Sequence, residues 1–275
     1  MRATLLAFLG FILSLLLPSA AFPGTRDPST PDQRYVDYAK DFHYVSRIMA
    51  RDKETNKPQF ASAVLIAPHW ALTAAHVVHE TKDVAILMND DKVFIKIPLV
   101  IEHKDFDPKK DPGFHDIALC YSEKDFGLDF YPELYTDGDE ENQICSIAGY
   151  GLHGDFKTGV DSADTKRRAG SNRIERCERA ILVCTPSQAQ RTELEFLICM
   201  GDSGGGLFIG NKLAGINSFV MCDMGKIPDS TYGNEAGHTR ISLYADWVKS
   251  QIELHELKTL GILTTSADPE RALDK

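Results

Sequence analysis

The chain has 275 residues, of which 43% are hydrophobic and 25% are charged, and its formal net charge is −10 at pH 7. An acidic balance of this size disfavours nucleic acid and anionic lipid surfaces as partners. The length and the apolar fraction suffice for one large hydrophobic core or two smaller ones, which excludes an intrinsically disordered chain.

The first 21 residues have the pattern of a cleavable secretory signal. Met1-Arg2 is followed by an apolar run over 5–17 and by small residues ending at Ala21, after which we expect cleavage. The run is shorter than the roughly 20 residues that a membrane-spanning helix requires, so no stable membrane insertion is expected after cleavage. The sequence therefore predicts a secreted or periplasmic protein. In that oxidising compartment some of its six cysteines are expected to pair.

Beyond the signal, residues 22–43 are rich in Pro, Asp, Ser and Thr, which favours turns and extended chain over packed structure. We interpret them as a lead-in segment. Strand-sized apolar or alternating runs follow in two sets, which we assign to a first unit over 44–135 and a second over 136–243. The runs are at 44–49, 61–66, 84–88, 93–101 and 116–121, and then at 144–148, 174–183, 206–208, 212–221 and 238–241.

Many short strands with polar turns and little helix favour an all-β fold of paired barrels or sandwiches. The end of the chain is different, because five apolar residues recur there at helical spacing: Leu243, Trp247, Val248, Ile252 and Leu254. They predict a C-terminal amphipathic helix over 244–257, followed by a polar tail over 258–275. The basic run 166–168 is interpreted as a solvated turn.

A serine inside a run of glycines gives the most informative segment, Gly201-Asp202-Ser203-Gly204-Gly205. Glycine allows backbone turns that other residues resist. Such a turn can direct the N–H groups of Gly201 and Ser203 at one point, where they would stabilise the oxyanion that develops during acyl transfer. A glycine-rich turn with a chance serine is the alternative if the segment is taken alone.

A serine hydroxyl needs a neighbouring base, and the base needs a group that orients it. His76 directly follows a run of small and apolar residues that could hold its ring in one pose. Asp116 opens a strand-sized apolar run, where a buried carboxylate would require a partner. Each residue alone is more typical of a structural role, a packed histidine and a strand-end cap.

Together the three segments resemble the trypsin/chymotrypsin family of serine proteases. The family's LTAAH, DIAL and GDSGG motifs occur at 72–76, 116–119 and 201–205, in the family's order of His, Asp and Ser. Weaker similarity extends over about 35–252. The resemblance implies two antiparallel six-stranded β-barrels with a C-terminal α-helix, and a serine endopeptidase that acts on proteins or peptides as a monomer.

The resemblance also implies roles for the residues of the site. His76 would take the proton of Ser203 and Asp116 would hold the histidine, while Gly201 and Ser203 would form the oxyanion hole. Ser218 would support the triad and place its strand against the substrate. The position that is acidic in Arg-specific or Lys-specific members is Leu197, and the expected glycine at the pocket mouth is Val220. We therefore expect a preference for small or medium apolar side chains.

Two further expectations come from the resemblance alone. Cys199 and Cys222 match the family's disulfide beside the specificity pocket, whereas the pairing of the other four cysteines stays open. Asp202 matches the acid that binds a new amino terminus after activation. The usual Ile-Val-Gly-Gly start is missing, so either cleavage after Arg34 or an internal cation would satisfy Asp202.

The sequence also allows three other interpretations. Gly201–Gly205 also fits the elbow of α/β-hydrolases, for which Asp229 and His238 could complete a triad, but the strand-rich pattern lacks alternating helices. A protease-like binding protein without activity is the rival from another class. His76, His79 and Glu80 do not have the spacing of a zinc motif, and we expect no metal and no cofactor.

Overall fold

The structure, a computed structural model, describes residues 24–162, 164–224 and 226–262. The predicted signal segment and the part of the predicted tail from 263 onward lie outside the described residues. The elements up to the middle of the chain are β1 (Thr25–Arg26), α1 (Asp32–Tyr38), a 3-10 helix (Ala39–Phe42), β2 (Val45–Asp52), β3 (Pro58–Ala67), β4 (Trp70–Thr73), α2 (Ala75–Val78), β5 (Thr81–Met88), β6 (Val93–Lys96), β7 (Leu99–Glu102) and β8 (Ala118–Tyr121).

The second half of the chain continues in the same style of short strands. Its elements are β9 (Ile144–Gly149), β10 (His153–Asp155), β11 (Gly159–Ser162), β12 (Arg168–Glu178), β13 (Ile181–Cys184), β14 (Phe196–Leu197), β15 (Gly206–Ile209), β16 (Lys212–Met221), β17 (Glu235–Arg240), a 3-10 helix (Ile241–Leu243) and α3 (Ala245–Thr259). None of the helices within the described ranges is long and apolar enough to cross a membrane.

Strands β2 to β8 form one sheet of seven strands in the order β6-β5-β2-β3-β4-β8-β7. Apolar side chains such as Val64, Leu72 and Leu119 have no exposed surface and form its core. We expected a closed six-stranded barrel here, but the sheet ends at β6 and β7. The run at 93–101 is divided between these two strands at Ile97-Pro98, and Pro98 has no N–H with which to continue a ladder.

The second half contains the closed six-stranded barrel that the sequence predicts, in the order β12-β13-β17-β16-β15-β9. Its interior holds fully buried aliphatic side chains that include Ile147, Ile174, Leu182 and Leu207. The predicted C-terminal helix is present as α3. Trp247 and Ile252 of this helix pack against the core of the first sheet.

The lead-in segment is packed, which differs from the expectation of turns and extended chain. Strand β1 pairs with β10 and β14 in a small sheet, and Tyr35 of α1 is fully buried. The basic run at 166–168 is also not a solvated turn. Arg168 is buried and binds the carboxylates of Asp32, at 2.8 Å, and Asp164, at 2.9 Å. This ion pair holds the lead-in segment against β12.

Candidate active site

The pairing of β4 with β8 brings His76 and Asp116 to one edge of the first sheet. The strands are antiparallel, with Thr73 opposite Ala118. His76 follows Thr73 by three residues, in α2, and Asp116 precedes Ala118 by two. In this antiparallel pair, β4 ends where β8 begins. Two motifs 40 positions apart in sequence therefore meet at these strand ends.

The Asp116 carboxylate is buried and accepts hydrogen bonds from several directions. Its Oδ2 accepts from His76 Nδ1 at 2.7 Å, and its Oδ1 accepts from the backbone N–H of His76 at 2.8 Å. The hydroxyl of Ser218 also donates to Oδ2. Thr239 donates to the backbone oxygen of Asp116 at 3.0 Å. The carboxylate and the imidazole are therefore held in one orientation.

These contacts shift the pKa values of both groups in opposite directions. Burial would raise the pKa of Asp116, but the charge of His76 and the hydrogen bonds from His76 and Ser218 lower it below 3.8. Burial would lower the pKa of His76, but the charge and hydrogen bond of Asp116 raise it above 6.5. When Nδ1–H donates to Asp116, the neutral ring keeps Nε2 as a proton acceptor on its other side.

The turn that carries Ser203 lies against the end of β4. At Gly204, where φ is +81°, an added Cβ would lie 2.1 Å from Thr73 Oγ1, so only glycine fits. The N–H of Ser62 donates to the backbone oxygen of Ser203 at 2.9 Å. Among the hydrogen bonds of the described residues, none joins the Ser203 hydroxyl to His76. Catalytic hydrogen bonds are often long before substrate binds.

The predicted amide donors are available for a ligand. Within the described ranges, the N–H groups of Gly201 and Ser203 donate no hydrogen bond to the protein, whereas those of Asp202, Gly204 and Gly205 all donate to backbone oxygens. Gly201 has a φ of +89°, which L side chains rarely adopt. Within the described residues, the turn thus satisfies three of its amides internally and leaves the N–H groups of Gly201 and Ser203 without a protein acceptor.

Two buried polar residues that the sequence did not single out support this turn. Ser62 donates to the oxygen of Gly201 at 2.9 Å. Asn217 donates from its side chain to the oxygen of Asp202 at 3.2 Å, and its own backbone oxygen accepts from Gly204. Ser62 and Asn217 are each a polar residue inside an apolar run. This was the one sequence feature that could have indicated such a role.

The residues predicted to shape the specificity pocket are apolar and packed. Leu197 in β14 has no exposed surface and belongs to the core of the second barrel. Val220 in β16 is half-buried and lies opposite Ala236 of β17 in the strand register. No charged side chain takes the place of Leu197 in β14.

Asp202 is the second buried carboxylate of the site. Burial raises its pKa to about 7, although the backbone N–H groups of Cys199, at 3.1 Å, and Gly151, at 2.8 Å, donate to it, and the charge of Arg168 and the nearby backbone of Gly24 act in the same lowering direction. Gly24 directly precedes β1. Arg34 lies elsewhere, with its guanidinium 2.6 Å from a carboxylate oxygen of the exposed Glu193. In the uncut chain Gly24 therefore lies near Asp202, and cleavage after Arg34 stays a prediction.

The disulfide between Cys199 and Cys222 that the resemblance implies stays a prediction. Cys199 lies in the interior, with its sulfur 3.8 Å from the oxygen of Leu152, whereas Cys222 is half-buried and its sulfur contacts the oxygen of Asp223. The two sulfur atoms thus have these different neighbours.

The structure contradicts the α/β-hydrolase interpretation. His238 is fully buried in β17 and its Nδ1 lies 2.9 Å from Oδ1 of Asn217. Burial lowers the pKa of His238 to about 3, so it remains neutral. Asp229 instead binds the hydroxyl of Thr231 in its own turn. His79 pairs with Glu102 at 2.7 Å and does not join His76.

Comparison with known proteins gives one family. The family model described as Trypsin matches residues 37–248. The chain is 24% identical over 253 residues to the CLIP domain-containing serine protease HP8 of Bombyx mori, covering 78% of this chain and 67% of that protein. It is 35% identical over 81 residues to neutrophil elastase of Mus musculus, covering 29% of this chain and 26% of that protein.

Solved structures agree on the fold. An HL collagenase structure matches with a TM-score of 0.63 at 20% identity, over 77% of this chain and 94% of that chain. Neuropsin, a serine protease of mouse brain, matches with a TM-score of 0.58 at 19% identity, over 75% and 93%. At these identities the likeness establishes the chymotrypsin-like fold.

Replacing Asp116 by asparagine tests the electrostatics of the pair. Because the carboxylate charge raises the pKa of His76, Asp116→Asn is expected to lower that pKa. Protonation of His76 stabilises the folded wild-type protein, fully below pH 6.5 and no longer above the raised pKa. Asp116→Asn should remove this contribution. NMR titration of the His76 ring measures the pKa, and urea unfolding at several pH values measures the stability.

Ser218→Ala is the matched control, since it removes a hydrogen bond to the same oxygen and keeps the charge. In this variant the pKa of His76 should stay above 6.5. An unchanged His76 titration in Asp116→Asn would contradict the assignment of the shift to the carboxylate.

Proposed function

The chain belongs to the trypsin family of serine endopeptidases, and from that premise we propose that it cleaves proteins or peptides with Ser203 as nucleophile. His76 is the general base and Asp116 orients it. The observation that carries this assignment is the Asp116 carboxylate, which accepts from both the ring and the backbone of His76 beside the turn of Ser203. The N-terminal signal pattern supports secretion, and we propose that the secreted protein acts as a monomer.

The proposed reaction uses both ring nitrogens of His76. Nδ1 stays on Asp116 while Nε2 takes the proton of Ser203, whose oxygen attacks the scissile carbonyl; the proton then passes to the leaving amine. Water hydrolyses the acyl-enzyme by the same route. The N–H groups of Gly201 and Ser203 bind the oxyanion, and the loss of one such donor costs about 3–4 kcal/mol of transition-state stabilisation.

Covalent labelling tests this function directly. The purified protein is expected to react with a fluorophosphonate probe at Ser203, and Ser203→Ala should abolish both labelling and peptide hydrolysis, by at least about 10⁴-fold in kcat. Ser250→Ala, at an exposed position of α3, is the matched control and should behave as the wild-type protein. A folded wild-type protein that neither labels nor cleaves would instead favour a protease-like binding protein.

Specificity is the second part of the proposal, and it rests on the half-buried apolar Val220 and on the lack of a charged side chain at position 197, where Leu197 is buried. A substrate cation buried in an apolar pocket without a partner costs several kcal/mol, and each 1.4 kcal/mol corresponds to about tenfold in rate. Peptides with Ala, Val or Leu on the acyl side of the scissile bond should therefore be cleaved at least about tenfold faster than matched Arg peptides. Competition in a peptide library measures the ratio, and a faster Arg peptide would overturn this preference.

We also propose that Asp202 regulates the site through a free amino group at Gly24. The support is the buried carboxyl of Asp202, whose pKa is raised to about 7, and the backbone N–H of Gly24, which lies near enough to act on that pKa in the lowering direction. Cleavage between Pro23 and Gly24 would convert this amide into an ammonium group. An adjacent positive charge favours the ionised carboxylate, which would fix the turn that bears Ser203.

The mature amino terminus tests this proposal. Active material is expected to begin at Gly24, and a chain produced with Gly24 as its first residue should be at least about tenfold more active than one beginning at Phe22. In the Gly24 chain, Asp202→Asn should remove the gain. Active protein that begins at Tyr35 would instead support cleavage after Arg34. Full activity of a chain that begins at Phe22 would exclude the amino-group mechanism.

A further inference from the structure

Ser62, in β3 of the first sheet, is fully buried and uses each of its polar atoms at the candidate active site. Its N–H donates to the backbone oxygen of Ser203 at 2.9 Å, and its own backbone oxygen accepts from the Thr73 hydroxyl at 2.9 Å. The Ser62 hydroxyl lies 2.9 Å from the backbone oxygen of Gly201 and 2.8 Å from the backbone nitrogen of Tyr150. One side chain of the first sheet thus contacts two backbone segments of the second half of the chain.

The chemistry of the two partners fixes the direction of both hydroxyl bonds. A backbone N–H can only donate a hydrogen bond, and a carbonyl oxygen can only accept one. The Ser62 hydroxyl must therefore accept from Tyr150 and give its single proton to Gly201. Because a buried N–H or C=O without a partner is unfavourable, these two bonds favour one orientation of the Gly201 carbonyl.

The two oxygens that Ser62 binds belong to the two residues whose N–H groups would form the oxyanion hole. Within one residue the N–H and the C=O are separated by only two rotatable bonds, so a fixed C=O limits the directions of the N–H. The limit matters most at Gly201, whose φ is +89° and which has no side chain to restrict its backbone. An added Cβ on Gly201 would lie 3.1 Å from the Cα of Gly151, so the chain after β9 packs against the same turn.

We propose that Ser62 is a positioning residue of the oxyanion hole, whose hydroxyl aligns the N–H of Gly201 while its backbone N–H aligns that of Ser203. This inference rests on the proposed function, because an oxyanion forms only if Ser203 attacks a carbonyl group. Ser62 is fully buried, so it acts through the two residues that it binds. Donors that are already aligned stabilise the developing charge without reorienting during the reaction.

A positioning role and a purely structural role have different kinetic signatures. A residue that only stabilises packing lowers the stability of the fold when it is replaced, and the folded protein keeps its kcat. A residue that aligns the oxyanion donors acts on a charge that develops after the substrate has bound. Its replacement therefore lowers kcat and leaves KM nearly unchanged.

Ser62→Ala removes the hydroxyl and keeps the backbone N–H that binds Ser203. Since a misplacement of about 1 Å can lower a rate about 10²-fold, we expect kcat for a peptide substrate to fall about 10–100-fold, with KM within about twofold of the wild-type value. Ser62→Cys keeps a side chain of similar size with a weaker donor. Its kcat should lie between those of Ser62→Ala and the wild-type protein, and it tests the proposal even if the alanine variant does not fold.

A peptide aldehyde reports on the oxyanion hole directly. The Ser203 oxygen adds to the aldehyde carbon to form a hemiacetal, His76 takes the serine proton, and the former carbonyl oxygen occupies the position of the oxyanion. In Ser62→Ala and Ser62→Cys, the inhibition constant of the aldehyde should rise by about the factor by which kcat falls. The inhibition constant of the matched peptide alcohol, which forms no adduct, should stay at the wild-type value.

Ser122→Ala is the matched control. Ser122 is also fully buried, and its hydroxyl donates to the backbone oxygen of Lys124 at 2.8 Å and accepts from the N–H of the same residue at 3.0 Å. It follows β8 at the end opposite to Asp116. This variant should therefore lose stability, as measured by urea unfolding, and keep the wild-type kcat, KM and aldehyde affinity.

The outcomes separate this inference from the proposed function. Wild-type kcat in a folded Ser62→Ala or Ser62→Cys protein, or an equal loss of aldehyde and alcohol affinity, would overturn the positioning role alone if the wild-type protein labels at Ser203. A folded wild-type protein that does not react at Ser203 would overturn both proposals.

Discussion

One buried carboxylate connects the two halves of the molecule. Asp116 leads into β8 of the first sheet, whereas Ser218 and Thr239, which donate to its side chain and its backbone oxygen, belong to the second barrel. An uncompensated buried carboxylate costs several kcal/mol. The two halves must therefore dock in one way for Asp116 to be satisfied, and the same docking orients His76. The packing of the first sheet against the second barrel and the geometry of the proposed triad therefore depend on the same contacts of Asp116.

The other buried carboxylate of the site is held differently. Asp202 receives only backbone N–H groups, and the cation whose charge acts on it, Arg168, already binds Asp32 and Asp164. Near neutral pH this carboxyl lies close to its pKa of about 7, so neither protonation state is strongly favoured. A residue in the turn of Ser203 is thus left without a dedicated counter-charge. A positive group added beside Asp202 would therefore affect this turn more than one added beside a carboxylate that is already paired.

Local motifs allowed the sequence to predict the candidate site. The motifs around His76, Asp116 and Ser203 each lie within a few positions of the residue concerned. The closed second barrel is implied by the family resemblance, since the strand-sized runs alone left barrels and sandwiches open. Contacts between distant segments were not predictable in this way. Arg168 binds Asp32 across 136 positions. A single long-range ion pair of this kind produces no periodic pattern in the sequence. The open edge of the first sheet depends on one proline inside an apolar run.

The loop before Asp116 brings together side chains whose proximity no sequence motif predicts. The hydrogen bond from His103 to Ile117 closes this loop, and the closure stacks His103 on His115 beside Tyr244 of the chain that leads into α3. Each histidine alone would be an ordinary packed residue. Their proximity follows from the requirement that Asp116 enter β8 opposite β4. The constraint that positions the carboxylate therefore also brings the two imidazoles together.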